Sequence, residues 1–169
     1  MNLREKTEYL LFKYGIKPDP NKGQHFLIDY KTIVRMILAL DLKPSDVVVE
    51  IGAGTGNITR ILAKHCKVIA IEKDKRFYPI LRKLKAKVII GDALKLLPKL
   101  KFNKLIGNLP FTMCEALFRK LKNVEFERAV FLVPKSFYEK LKSKVELIAE
   151  VPPQAFFPEP NTEAVVIKV

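Results

Sequence analysis

Val47-Val48-Val49-Glu50-Ile51-Gly52-Ala53-Gly54-Thr55-Gly56-Asn57 is a β-branched run that ends on an acidic residue and breaks into three glycines. It reads as strand, glycine loop and helix start. A short, near-continuous apolar run suits a parallel strand covered on both faces. Glycines let the backbone turn sharply and let a ligand approach it without a Cβ in the way. In an open α/β sheet such a loop lies at the carboxyl edge, where ligands bind at the topological switch point. Working outward, six more short runs read as strands: Val68–Ile71, Val88–Ile90, Lys104–Ile106, Ala129–Val133, Val145–Val151 and Ala164–Val169. Amphipathic stretches between or before them predict helices over Asn2–Tyr14, Tyr30–Ala39, Asn57–Lys64, Lys75–Leu84, Cys114–Lys122 and Ser136–Lys142. Pro79 is compatible with the fourth of these only near a first turn. The alternation predicts an α/β fold, a mostly parallel doubly wound sheet with helices on both faces. The last two runs are joined by PPQAFFPEPNTE, too rich in proline for a helix, so they are expected to pair antiparallel.

The chain has 169 residues, 49% hydrophobic and 29% charged, enough for one domain with a substantial core and too apolar for wholesale disorder. Seven Gly and eleven Pro exclude collagen-like and low-complexity classes. No apolar run approaches the ~20 residues of a membrane helix. The N-terminus carries Glu5 and Glu8 and no long apolar stretch, so it does not read as a secretion signal. Cys66 and Cys114 have no second pair, which argues against a disulfide framework or a cysteine zinc site and fits a reducing, cytoplasmic setting. No metal and no membrane partner are expected. The net charge is +13, and residues 51–100 concentrate it, with twelve basic against three acidic residues. A concentrated basic excess attracts polyanions, most often nucleic acid. Lysine-rich, glutamine-poor surfaces also occur in heat-adapted proteins, so charge alone leaves both readings open.

Three acidic residues close three successive strands: Glu50, Glu72 and Asp92. An acid about twenty residues beyond a glycine loop can accept both ribose hydroxyls of an adenosine. Asp92, in Gly91-Asp92-Ala93-Leu94, is placed to meet an adenine edge. A dinucleotide fingerprint would need a third glycine where Asn57 stands. The alternative is S-adenosylmethionine, which has a ribose and an adenine but no phosphate. Its sulfonium and amino group make Glu50 a favourable neighbour.

The fourth strand runs into Gly107-Asn108-Leu109-Pro110-Phe111 at the same sheet edge. This pattern suits methylation of an exocyclic amine. The lone pair of adenine N6 is delocalised into the ring. Hydrogen bonds from the N6 hydrogens to the Asn108 side-chain oxygen and a backbone carbonyl would favour a tetrahedral nitrogen. Phe111 would stack on the base and hold it in line, which is catalysis by positioning.

Together these residues give a resemblance. The sequence resembles the rRNA adenine N6-dimethyltransferases, close relatives of the erythromycin-resistance rRNA methylases, from about Lys22 to Val169. The likeness is carried by Gly23-Gln24-His25-Phe26-Leu27, Glu50-Ile51-Gly52-Ala53-Gly54-Thr55-Gly56, Glu72, Gly91-Asp92-Ala93-Leu94, Asn108-Leu109-Pro110-Phe111, and Val151-Pro152-Pro153-Gln154-Ala155-Phe156 with Pro158 and Pro160 following. It implies a seven-stranded Rossmann-like methyltransferase sheet with an antiparallel last strand, and S-adenosylmethionine as donor. It implies that Gln24, His25, Leu27, Glu50, Gly52, Gly54, Glu72, Asp92 and Asn108 hold the donor. It implies that Asn108, Pro110, Phe111 and Phe156 form the catalytic turn and its second aromatic. The expected substrate is a pair of adjacent adenosines in a hairpin near the 3′ end of small-subunit rRNA, on naked RNA or a pre-ribosomal particle.

Three positions depart from the family's pattern. His25 stands for an Asn, Phe111 stands for a Tyr, and Lys135–Lys144 is shorter than the family's segment there. The expected organisation is a single methyltransferase domain over 1–169. It would be a monomer, with an N-terminal helix and linker over 1–22 and without the family's C-terminal helical domain. Arg60, Lys64, Arg82, Lys83 and Lys85 are expected to meet RNA phosphates. Other readings are a methyltransferase for another nucleic acid, or an rRNA-binding assembly factor.

Overall fold

A computed structural model describes the whole chain, Met1–Val169. Its main element is a seven-stranded sheet built from β2 (Val47–Ile51), β3 (Lys67–Glu72), β4 (Lys87–Ile90), β5 (Lys104–Asn108), β6 (Arg128–Pro134), β7 (Glu146–Val151) and β9 (Ala164–Lys168). The order is β4-β3-β2-β5-β6-β9-β7. The pairs among β2 to β6 are parallel, and β9 is antiparallel to both of its neighbours. All seven expected strands are present, and the antiparallel join of the last two holds.

Alternation along the strands explains the layers. Val48, Val68, Ile106, Val130, Leu132 and Val166 face one side with α2 (Tyr30–Ala39) and α3 (Asn57–Leu62). Val49, Ile51, Ile71, Leu105, Phe131 and Val165 face the other, with Leu117 and Leu121 of α6 (Cys114–Leu121) and Phe137 of α7 (Lys135–Leu141). A third cluster joins Leu11 of α1 (Leu3–Lys13) to Phe77 and to Ile80 and Leu81 of α4 (Tyr78–Leu81). Helix α1 begins at a capping box between Asn2 and Glu5. At the amino-terminal edge of the sheet, a buried Lys104–Asp46 ion pair of 2.7 Å ties β5 to the turn before β2.

One expected helix differs and one helix is new. The helix over Lys75–Leu84 is a 3-10 turn (Lys75–Phe77) followed by the four-residue α4, because Pro79 has no N–H and fits only at the start of an α-helix. Helix α5 (Ala93–Leu96) was not anticipated. It is too short to show a period, starts on an Asp92 cap and runs into a turn containing Pro98. A further two-stranded sheet pairs β1 (Phe26–Leu27) antiparallel with β8 (Phe156–Phe157), tying the N-terminal segment to the proline-rich loop.

Candidate active site

The chain order reverses between β2 and β5, the central neighbours of the sheet. Their carboxyl ends open a crevice there. Ile51 pairs with Gly107, so Gly52, just past β2, and Asn108, the last residue of β5, lie side by side at the carboxyl edge of the sheet. A Cβ built on Gly52 would lie 3.6 Å from the Asn108 carbonyl oxygen. The crevice is a cleft of about 530 Å³, lined among others by Gln24, His25, Gly52, Gly54, Glu72, Asp92, Asn108 and Pro110. That volume is within the usual range for a small-molecule site, ~300–1,000 Å³.

Hydrogen bonds fix the cleft's polar groups. Glu72 accepts from Gly54 N and from Asp74 N, both at 2.8 Å, which holds its carboxylate against the glycine loop. Burial pushes its pKa above the ordinary value, and those amides oppose the shift. Asp92 caps α5 through one oxygen, accepting from Leu94 N at 2.9 Å. Asn108 donates from Nδ2 to the His25 carbonyl at 2.8 Å, leaving Oδ1 as its acceptor atom. The His25 ring is bonded through Nδ1 to the Pro158 carbonyl at 2.8 Å. Gln24 donates to Asp74 Oδ2 at 2.9 Å and accepts from Asp19 N at 2.8 Å. Arg76 holds the Asp74 carboxyl below the ordinary carboxylate range.

Two glycines make close approaches possible. Gly23 has φ +66°, and a Cβ there would fall 2.8 Å from the Pro110 Cβ. The N-terminal segment therefore lies directly on the Asn-Leu-Pro-Phe turn. Gly54 has φ +52°, and a Cβ there would fall 2.8 Å from the Phe26 ring.

Four expected site residues stand off this cleft. Leu27 and Glu50 line a far smaller neighbouring hollow, together with Gly52 and Asn108. Leu27 alternates with Phe26 along β1, so Phe26 meets the cleft while Leu27 enters the core. Glu50 is 1% exposed and accepts a short hydrogen bond from the Thr59 hydroxyl. Burial pushes its pKa up to about 8. Phe156 is 2% exposed, because its place opposite Leu27 in the β1–β8 pair turns it into the core, so it offers no face to a base. Phe111 is 43% exposed between Pro110 and Thr112, which do line the cleft. Asp74, Phe26, Thr112 and Met113 also line it and were not anticipated. Asp74 had a readable signal, an acid at a helix cap two residues past Glu72. Asn57, which breaks the dinucleotide pattern, is a buried tether donating to Thr7 Oγ1 and to the Leu27 carbonyl, each at 2.9 Å.

The donor set matches the methyl donor by its chemistry. Glu72 and Asp92 suit hydroxyl and amine hydrogens. The family model for ribosomal RNA adenine dimethylase matches residues 17–145. The chain belongs to the ribosomal RNA adenine dimethylase family. The family's reaction is methylation of rRNA adenine with S-adenosylmethionine as the methyl donor. Among its relatives, a Pyrococcus abyssi protein named "Probable ribosomal RNA small subunit methyltransferase A" is 33% identical over 99% of this chain and 70% of its own length. The Thermococcus onnurineus protein of the same name is 35% identical over 98% and 69%. The crystal structure of a dimethyladenosine transferase from Plasmodium falciparum superposes with a TM-score of 0.80 at 29% identity, covering 85% of this chain and 62% of that one. The 23S rRNA methyltransferase ErmE shares the fold, with a TM-score of 0.77 at 24% identity over 85% and 68%. This dimethylase thus spans roughly two thirds of the length of these relatives. No helix of it is long and apolar enough to cross a membrane.

Proposed function

We propose that this chain methylates the N6 amine of two adjacent adenosines in a hairpin near the 3′ end of small-subunit rRNA, each of them twice. The observation that carries the reading is the meeting of Gly52 and Asn108 in one cleft. A donor loop and an amine-binding turn on separate surfaces could not exchange a carbon.

S-adenosylmethionine, when bound, would supply a methyl group on a sulfonium: the amine nitrogen takes the methyl carbon as the carbon–sulfur bond breaks and a neutral thioether leaves. Everything else falls to this chain's residues. Glu72 takes the ribose hydroxyls, and the Asp92 oxygen not engaged by Leu94 takes an adenine amine hydrogen of the donor. Asn108 Oδ1 accepts from the target amine and directs its lone pair toward the donor side of the cleft. Phe111 stacks on the target base at the cleft mouth, an exposed position that suits an unstacked loop base. Base stacking of this kind is worth ~1–3 kcal/mol. Pro110, pressed against Gly23, fixes the turn. The proton of the methylated amine leaves after transfer, so no general base is required. A monomer suffices for this chemistry, and a cytoplasmic setting belongs to the same reading.

The test is reverse transcription of small-subunit rRNA after incubation with the protein and the methyl donor. Two adjacent stops in the 3′-terminal hairpin are expected. Stops elsewhere, or none, refute the assignment of this target.

A further inference from the structure

Helix α1 carries Lys6, Tyr9 and Lys13 on one face, at i, i+3 and i+7. Lys13 Nζ stands 5.6 Å from the Tyr9 ring centre and 5.8 Å from that of Tyr14. Lys83, just beyond α4, meets Tyr14 at its hydroxyl. Its Nζ is 5.5 Å from the ring centre and donates to the hydroxyl at 2.7 Å. That hydrogen bond lowers the Tyr14 pKa, and the charges of Lys83, Lys13 and Arg82 add to it. At the other end of the face, burial and then the charges of Arg60 and Lys64 lower the pKa of Lys6. Tyr9 is 47% exposed and Phe12, one turn along, is 88% exposed.

A face that only solvates a helix mixes acids with bases. This one does not. Lys6, Lys13, Lys64, Arg82 and Lys83 form no ion pair. The acids of α1 are engaged elsewhere, Glu5 in the capping box and Glu8 with Arg4. Uncompensated like charges repel one another, and a polyanion relieves that repulsion. Exposed aromatics among the cations are what an unstacked base requires and what an acidic protein does not. The face also leads to the cleft. Arg76 donates to the Lys17 carbonyl beyond α1, and Lys22 and Lys73 line the cleft itself.

Building on the proposed activity, we infer that the α1–α4 face is a second RNA-docking surface, which grips a strand by its phosphates and one unstacked base while the cleft holds the target adenosine. The test uses a fluorescein-labelled RNA hairpin with two adjacent loop adenosines, titrated with the protein from 50 to 300 mM salt. The triple substitution Lys6→Gln, Lys13→Gln, Lys83→Gln should weaken binding about tenfold or more and flatten the slope of log affinity against log salt by about 2–3. The double substitution Tyr9→Ser, Phe12→Ser should weaken binding without changing that slope. In methylation of the same hairpin, the triple variant should raise the RNA KM and leave kcat and calorimetric donor affinity unchanged. Unchanged affinity and slope in the triple variant overturn the surface, as does a variant that loses polyglutamate binding but keeps RNA. A wild-type protein that shows this surface dependence yet transfers no methyl overturns the proposed activity and leaves the surface standing.

Discussion

Asn108 donates its side-chain amide to the backbone carbonyl of His25 over 2.8 Å, across 83 positions of sequence. The same His25 reaches the Pro158 carbonyl with its ring. Two hydrogen bonds therefore join three separate sequence motifs around one amide. They decide which end of that amide is left to receive an amine.

Asn108→Ala should remove the acceptor without disturbing the donor contacts of Glu72. Loss of one such preorganised group costs catalysis ~10²-fold or more. Single-turnover methylation should fall by at least that factor, while calorimetric donor affinity and hairpin affinity stay within a few fold. A variant with normal turnover would remove Asn108 from the chemistry.

His25 is expected to act on turnover through position. His25→Ala cuts the tie to Pro158 and loosens the carbonyl that orients Asn108, so kcat should drop by about tenfold, the scale of one hydrogen bond. His25→Asn, which keeps a donor, should recover part of the loss. Equal kcat in all three proteins would leave the ring a surface role only.

Gly23→Ala should both destabilise the protein and slow it. The new Cβ would lie 2.8 Å from the Pro110 Cβ at a φ of +66°, so strain and overpacking combine to about 1–3 kcal/mol. Gly15 is the control. Its φ is +61° with nothing within 4 Å, so Gly15→Ala should carry the backbone cost alone, about 1 kcal/mol. Urea denaturation separates the two, and equal losses would show that the Gly23–Pro110 contact carries no constraint.

Much of this architecture is readable in the chain. The alternation of Val48 with Val49 and of Val130 with Phe131 assigns each strand residue to a layer, and α2 spans the expected Tyr30–Ala39 because its apolar period is clean. Glu72, Asp92 and Asn108 fall on strand ends, and strand ends share an edge, so their convergence on the cleft follows from topology. What was not legible depends on contacts distant in sequence. The β1–β8 pair has two residues per strand, too few for any period, and it alone decides that Phe156 is buried while Phe157 is not. Glu50 reads as an open acid until Thr59 is seen one helical turn into α3, sealing it from water. Asn57 reads as a failed glycine until Thr7 and Leu27 are brought to it.

The burial of Glu50 predicts an unusual pH dependence. Its folded pKa of about 8 lies above the unfolded value of 4.5, so the folded state keeps a proton that the unfolded state loses between those limits. Its contribution to stability is complete below about pH 4.5 and is lost as pH rises toward 8, by at most about 1.4 kcal/mol per pH unit. Glu50→Gln should flatten this fall in urea titrations run without the methyl donor. Identical pH profiles for the two proteins would mean that Glu50 is ionised in the fold.

The most direct measurement is nucleoside analysis of small-subunit rRNA after incubation with methyl-labelled S-adenosylmethionine, for the wild-type chain and for Asn108→Ala in parallel. Label in N6-methyladenosine and N6,N6-dimethyladenosine from the wild type, and none from the variant, is the predicted result. Label in another base or in ribose, or equal label from both proteins, would contradict transfer between the Gly52 loop and the Asn108 turn.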